Sequence, residues 1–272
     1  MDQYLIHATL PEPDGRVLEI TPESANWKYV GFAVYSLGPS ETFAKKTDDR
    51  EFCIVLLSGK ADIVTSQSAW MEIGKRESVF ERIPPVSVYV PHNDWFRVSA
   101  LTRLEFAVCS APGRGKFPAR LIRSEDVSIE ARGYASTSRT IFNVLPETQP
   151  ADSLLITEVY TPNGHWSSYP PHRHDVDDLP SQSYLEETYY FRIDPPRNGF
   201  AIQRLYEDGD RGVTLTVKDG DTVMVPRGYH PVAAAPGYEL YYLNVMAGPR
   251  RTWKFHDDPD HVWIKSEASL FR

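Results

Sequence analysis

The 272-residue chain is short of what several functional classes require. It has two cysteines, Cys53 and Cys109, and both lie in apolar runs. They read as buried thiols in a reducing compartment rather than as a disulfide framework. No run of Lys or Arg is long enough to grip phosphates, and the formal net charge is −8. Nucleic acid and anionic membrane are poor partners on that account. No apolar run approaches the ~20 residues that cross a bilayer. The opening stretch, MDQYLIHATLPEPDG, has neither the basic nor the apolar region of a signal peptide. Segments with helical periodicity are scarce. The expectation is a cytoplasmic protein that meets a small molecule.

What is present points to strands. Twenty-two prolines and 12% aromatic residues suit many short strands separated by turns, not a helix bundle. GFAVYSLGPSETF, EFCIVLLSGKADIV, SVYVPHNDWFRVSA and LEFAVCSAPG follow one another at hairpin-like spacing. The length suits roughly two domains at ~150 residues each. The expected organisation is an N-terminal arm over 1–25, a first unit over 26–112, a connector over 113–149, a second unit over 150–250 and a tail over 251–272. The connector is long for a structureless loop and is expected to pack across both units. Sandwich or barrel units are the natural architecture.

The two units look like copies. Glu51 of EFCIVLL and Glu187 of ETYYFRI lie 136 residues apart, Pro91 and Pro226 lie 135 apart, and Glu105 and Glu239 lie 134 apart. Near-constant separation implies an internal duplication. On this alignment Glu51 matches Glu187, and the positions matching His230 hold Trp95 or Phe96. The first unit is therefore expected to be a scaffold without metal.

Four residues of the second unit suit one metal ion: His172, His174, Glu187 and His230. His172 and His174 are two apart, so an extended strand projects both from one face. Imidazole nitrogens with a carboxylate suit zinc first, with manganese, iron or nickel as alternatives, and leave room for substrate. His172-Arg-His174, the later glutamate, and Gly220-DTVMV-Pro226-Arg-Gly228-Tyr-His230 resemble the two cupin motifs. The match departs from the usual pattern in two places. DVDDLPSQSYLE separates the histidine pair from the glutamate, so Glu186 rivals Glu187, and the last Gly-to-His gap is one residue short.

The resemblance extends along the chain. WSSYPPHRHD, PSQSYLEETYYFRI, VPRGYHPV and YELYYLNVMAGPRRTWKFHDDPDHVWI are similar to the two-cupin uronate isomerase family, that of the 5-deoxy-glucuronate isomerases of bacterial inositol catabolism. It implies an all-β fold of two cupin domains, a bicupin, and an aldose–ketose isomerisation of a sugar acid. Other cupin sugar-acid isomerases, such as those of 5-keto-4-deoxyuronate, and cupin dioxygenases share parts of this pattern. The reaction needs one divalent ion to polarise the carbonyl and a group to carry a proton between adjacent carbons. Glu186, Asp175 and Tyr189 are the candidates for that group. Arg173, Arg204 and Arg227 are the candidates for the substrate carboxylate, which a planar guanidinium pairs through both oxygens. A homo-oligomer is compatible with this reading. His256 and His261 in the tail are read as part of a polar cap.

Overall fold

Long strands whose two faces are both apolar must be covered on both sides. In the computed structural model, which describes residues 3–267, strand Arg50–Ser58 sends Phe52, Ile54 and Leu56 into one core and Cys53, Val55 and Leu57 into another. Strand Glu186–Asp194 does the same, with Tyr189, Phe191 and Ile193 on one side and Tyr190 on the other. Each of these strands is the middle of a large sheet that serves two cores.

The first barrel pairs a six-stranded with a four-stranded sheet. The larger runs, in spatial order, Arg120–Ile122, Ser87–Val90, Arg50–Ser58, Leu104–Pro112, Gly31–Leu37 and Arg16–Ile20; the smaller runs Thr42–Lys46, Trp95–Ala100, Ala61–Thr65 and Ala69–Ile73. The second barrel repeats the plan. Its larger sheet runs Leu5–Ile6, Thr222–Val225, Glu186–Asp194, Glu239–Ala247, Leu155–Thr161, Arg139–Leu145 and Ser128–Arg132, and its smaller sheet Trp166–Ser167, Val232–Ala234, Ala201–Leu205 and Val213–Val217. The central pairs are antiparallel. The chain thus adopts the expected all-β fold of two cupin barrels.

The barrels join through the outer faces of their large sheets. Phe32, Val55, Tyr89 and Cys109 of one meet Phe142, Ile156, Tyr160, Tyr190 and Val245 of the other in a continuous buried core. At ~1.5–3 kcal/mol for each large apolar side chain fully buried, this layer holds the barrels together. Cys53 and Cys109 face each other across the ladder as free buried thiols.

Segments at the chain's N-terminus and middle are shared between the barrels. Leu5–Ile6 extends the second barrel's large sheet, while Arg16–Ile20 extends the first's. Arg120–Ile122 closes the other edge of the first, and Ser128–Arg132 with Arg139–Leu145 widens the second. Each covers strand edges that would otherwise present unpaired N–H and C=O groups.

Two buried glutamates bind the barrels reciprocally. Glu51 accepts the backbone N–H groups of Asp152, Ser153 and Leu154, where the second barrel begins, and the Tyr89 hydroxyl. Glu186 accepts the N–H groups of Lys28, Tyr29 and Val30, where the first barrel begins. Strand register confirms the equivalence: Glu51 lies opposite Ala111, and Glu186 opposite Ala247. This corrects the sequence alignment, which set Glu51 against Glu187. Phe52, opposite Val90, is the true counterpart of Glu187, opposite Val225.

Candidate metal centre

A side chain reaches the interior of the second barrel only from alternate positions of its strands. On Glu186–Asp194 that parity belongs to Glu187 and Tyr189, so the adjacent glutamates face opposite ways. Glu187 is 2% exposed, and His172, His174 and His230 are 9%, 3% and 0% exposed. The three histidines offer nitrogens within 4.8 Å of one another. Glu187 Oε2 lies 3.0 Å from His174 Nε2 and 3.3 Å from His230 Nε2. Among the described residues this is the grouping close enough to hold an ion. His256 is exposed, and His261 lies 3.8 Å from Asp258.

Local structure explains how each ligand-type residue arrives. His172–Arg173 pairs with His256–Asp257, so the tail braces the strand that carries the first histidine. The insertion after His174 folds outward as a small ribbon, Asp175–Asp178 against Gln182–Tyr184. It brings Leu185 back beside His174, whose backbone carbonyl accepts the Leu185 N–H and whose Nδ1 meets the Leu185 carbonyl at 3.1 Å. The extra residues therefore leave the ligand geometry undisturbed. The Pro-Arg-Gly turn aims His230. Gly228 has φ +83°, and a Cβ there would come within 2.5 Å of the Tyr206 carbonyl oxygen. Its carbonyl lies 2.8 Å from His230 Nδ1, and its N–H donates to Asp175.

These contacts fit the donor set of a divalent ion. Nδ1 of His174 and of His230 each meets a backbone carbonyl, so Nε2 is the nitrogen directed inward, toward Glu187. His172 is likewise hydrogen-bonded to the backbone at Pro170. His230 Nε2 has only Glu187 Oε2 near it, at 3.3 Å and in poor hydrogen-bond geometry, and both amide atoms of Gln203, which shares the barrel interior, are buried without a partner. Buried orphan groups of this kind call for a ligand or ion. Burial, with the charges of His230 and His174, holds His172 well below the ordinary imidazole pKa, in its ligating neutral form. Burial also opposes charge on His174, but the hydrogen bond and charge of Glu187 raise its pKa. Burial pushes Glu187 upward, and hydrogen bonds and charge from His174 and His230 outweigh that and lower it.

The first barrel fills the equivalent space with hydrocarbon. Phe52 and Phe96 stand 5.6 Å apart, ring to ring, where the second barrel has Glu187 and His230. Phe43 packs on Phe96 at 6.0 Å. These side chains carry no donor atom for a metal.

The remaining sequence candidates fall in distinct places. Glu186 spends its carboxylate on three backbone N–H groups and faces away from the cluster. Asp175 joins the ribbon to the Pro-Arg-Gly turn through Gln182 and Gly228. Tyr189 is interior, with its ring 5.8 Å from His230 and its hydroxyl 2.9 Å from Ser168 Oγ. Burial, then the charge of Glu187, raises its pKa well above the ordinary phenol value. Arg173 pairs with Asp208 at 2.9 Å, Arg227 with Glu207 at 3.0 Å, and Arg204 stacks 4.0 Å over Tyr206. Arg173 and Arg227 line a cavity of about 840 Å³ to which none of the four cluster residues contributes. A second cavity, of about 600 Å³, has His172 in its wall together with Arg139, Tyr169, Phe255 and Lys265. No motif singles out Arg139 in the sequence; only the pairing of its strand into the second barrel brings it beside the cluster.

Two barrels packed sheet on sheet, one with an inward cluster of three histidines and a glutamate, define a bicupin with a pocket suited to one divalent ion. The model of the KduI/IolB family matches residues 4–264, and the chain belongs to that family. It is 57% identical, over 97% of its length and 96% of the relative's, to a protein of Geobacillus kaustophilus named 5-deoxy-glucuronate isomerase. It is 47% identical to the protein of that name from Bacillus subtilis strain 168, with 91% of this chain and 92% of the relative covered. The crystal structure of an IolB-like protein from Salmonella typhimurium LT2 is similar at a TM-score of 0.93 and 47% identity, covering 96% of this chain and 99% of that one. An oxalate decarboxylase of Lactobacillus farciminis, 11% identical with a TM-score of 0.68, covers 100% of this chain at 92% of its own and shares the fold alone. No helix among the described residues is long and apolar enough to cross a membrane.

Proposed function

We propose that the protein is a metal-dependent aldose–ketose isomerase that converts 5-deoxy-D-glucuronate to 2-deoxy-5-keto-D-gluconate in the cytoplasm, as a step of inositol catabolism. The observation that carries the reading is identity of 57–58% across 97% of the chain to relatives of that name. The cluster's chemistry supports it independently. His172, His174, His230 and Glu187 would hold the ion, with zinc first among the metals. A divalent ion held there would supply Lewis acidity toward the substrate's carbonyl end and stabilise negative charge that develops on it.

The chain's own groups do the rest. The backbone carbonyls behind the histidines orient the imidazoles and set which nitrogen faces inward. Tyr189 lays its ring 5.8 Å from His230 and holds its hydroxyl on Ser168; with its pKa raised it stays a neutral phenol, suited to donate a hydrogen bond to a substrate oxygen rather than to take the C2 proton. Of the three sequence candidates for proton transfer, Tyr189 is the one with its polar atom inside this barrel. The buried, aromatic surroundings exclude water from the reacting carbons.

Incubation of the purified holoprotein with 5-deoxy-D-glucuronate, followed by proton and carbon NMR in deuterated water, tests the reading. The aldehyde signal should disappear and the ketone of 2-deoxy-5-keto-gluconate should appear. Unchanged substrate beside an active control isomerase would contradict it.

A further inference from the structure

The cavity that shares His172 with the cluster is lined by cations, and their partners differ. Arg132 is committed twice over to Glu130, at 3.0 Å and 2.8 Å. Lys265 pairs with Asp257 at 2.5 Å. Arg139 is the exception. Its Nη1 donates to the carbonyls of Thr137 and Tyr169, both at 3.0 Å, and among the described residues no carboxylate lies within ion-pair distance of its guanidinium. A largely buried guanidinium without a direct counter-ion is costly, because removal from water opposes its charge and no carboxylate pairs with it. Burial, with Arg132 close by, lowers its pKa accordingly. The two carbonyls fix one nitrogen and so orient the fork of a residue that lines the cavity.

The walls suit an organic acid. Tyr134, Tyr169, Phe255 and Ile264 give apolar surface, and the Tyr134 hydroxyl donates to the Ile264 carbonyl at 2.7 Å, which ties the tail into the cavity wall. At about 600 Å³ the space accommodates a six-carbon sugar acid. Such a substrate has its reacting aldehyde at one end and its carboxylate at the other. The cavity carries both polarities in its lining: His172 of the cluster and Arg139, which no carboxylate pairs.

Resting on the isomerase reading above, we infer that Arg139 is the residue that binds the terminal carboxylate of the substrate, pairing both oxygens through its free fork, and that it sets the preference for sugar acids over neutral sugars. The three arginines that the motifs suggested are committed elsewhere, two to carboxylates and Arg204 to the Tyr206 ring and a backbone carbonyl.

The test compares two substrates and two variants in metal-loaded enzyme. The neutral analogue is 5-deoxy-D-glucose, in which a hydroxymethyl replaces the carboxylate. Arg139→Met should lower kcat/KM on 5-deoxy-glucuronate about 100-fold, the size expected for loss of a charge-assisted pair. On 5-deoxy-glucose it should stay within about 3-fold of the parent, since the neutral sugar makes no ion pair to lose. Arg139→Lys, which keeps charge but loses the fork, should fall between them with most of its effect in KM. Metal content and melting temperature report whether the Tyr169–Pro170 segment is still held. Equal losses on both substrates, or an unaltered KM for the uronate, would overturn the assignment. Calorimetry with D-glucuronate and D-glucose separates this from the isomerase reading. Should the parent bind glucuronate and Arg139→Met not bind it, the carboxylate site stands even if 5-deoxy-glucuronate is not turned over. Equal glucuronate binding by both proteins overturns it.

Discussion

His230→Ala or His174→Ala should lower metal content and turnover together while leaving the barrels folded. Each removes one inward nitrogen from a buried set whose members lie within 4.8 Å of one another. The remaining ligands lose affinity, and the charge stabilisation of the reaction goes with it. Loss of such stabilisation typically costs about 3–4 kcal/mol in the barrier, or ~10²–10³ in rate. The melting temperature of the metal-free protein should change little. His230 is held chiefly by one carbonyl and by Glu187, so the strand ladders and apolar core of the barrel keep their own contacts without it. The checks are metal analysis by mass spectrometry, the NMR assay and a thermal melt on the same preparations. A variant that melts early but keeps its metal in the folded fraction would mark these histidines as structural.

Glu186→Ala and Glu187→Ala should behave oppositely although the residues adjoin. Glu186 is buried and satisfies the N–H groups of Lys28, Tyr29 and Val30 at 2.8, 2.8 and 2.9 Å. Its truncation leaves three donors without a partner in the layer between the barrels. Each such orphan costs about 1–3 kcal/mol, so a loss on the order of 3–5 kcal/mol is expected after partial rehydration. Folded Glu186→Ala should still bind metal. Glu187→Ala should release the metal and keep the melting temperature close to that of the metal-free parent, because the carboxylate's contacts are with His174 and His230. Urea unfolding beside metal analysis separates the two. If Glu186→Ala lost metal at unchanged stability, the assignment of faces along Glu186–Asp194 would be wrong.

That pair also shows how far the sequence could be read. Strand-like patterns and the repeated landmarks near 135 residues apart were enough for two duplicated strand-rich units, and the resemblance of the histidine motifs made them cupins. The alternation within ETYYF already set Glu186 and Glu187 on opposite faces, but which face was inner depends on the packing of the other barrel. The misalignment of Glu51 with Glu187 came from matching like residues. Register shows that Glu51 and Glu186 are the matched pair, each clamping the other barrel's first strand, and that Phe52 replaces Glu187. His172, His174 and His230 could be grouped from the sequence because a metal site asks for a particular residue type at a particular spacing, and the fold brings their nitrogens within 4.8 Å of one another. Arg139 could not be picked out that way, because an arginine in an unremarkable strand gains meaning only from its neighbours. Those neighbours, Tyr169, Phe255 and Lys265, come from segments 30 or more residues away. Arg173, Arg204 and Arg227 stood closer to the motifs in sequence, yet the same strand alternation that turns His172 and His174 inward turns Arg173 out onto Tyr229.

The most direct test of the account is the rate of the metal-stripped protein. Chelation followed by desalting should give a folded protein that does not isomerise 5-deoxy-glucuronate. Returning zinc, manganese, iron or nickel singly should restore turnover with a break at one ion per chain. Fully metal-free protein turning over 5-deoxy-glucuronate at the rate of the untreated enzyme would contradict the account.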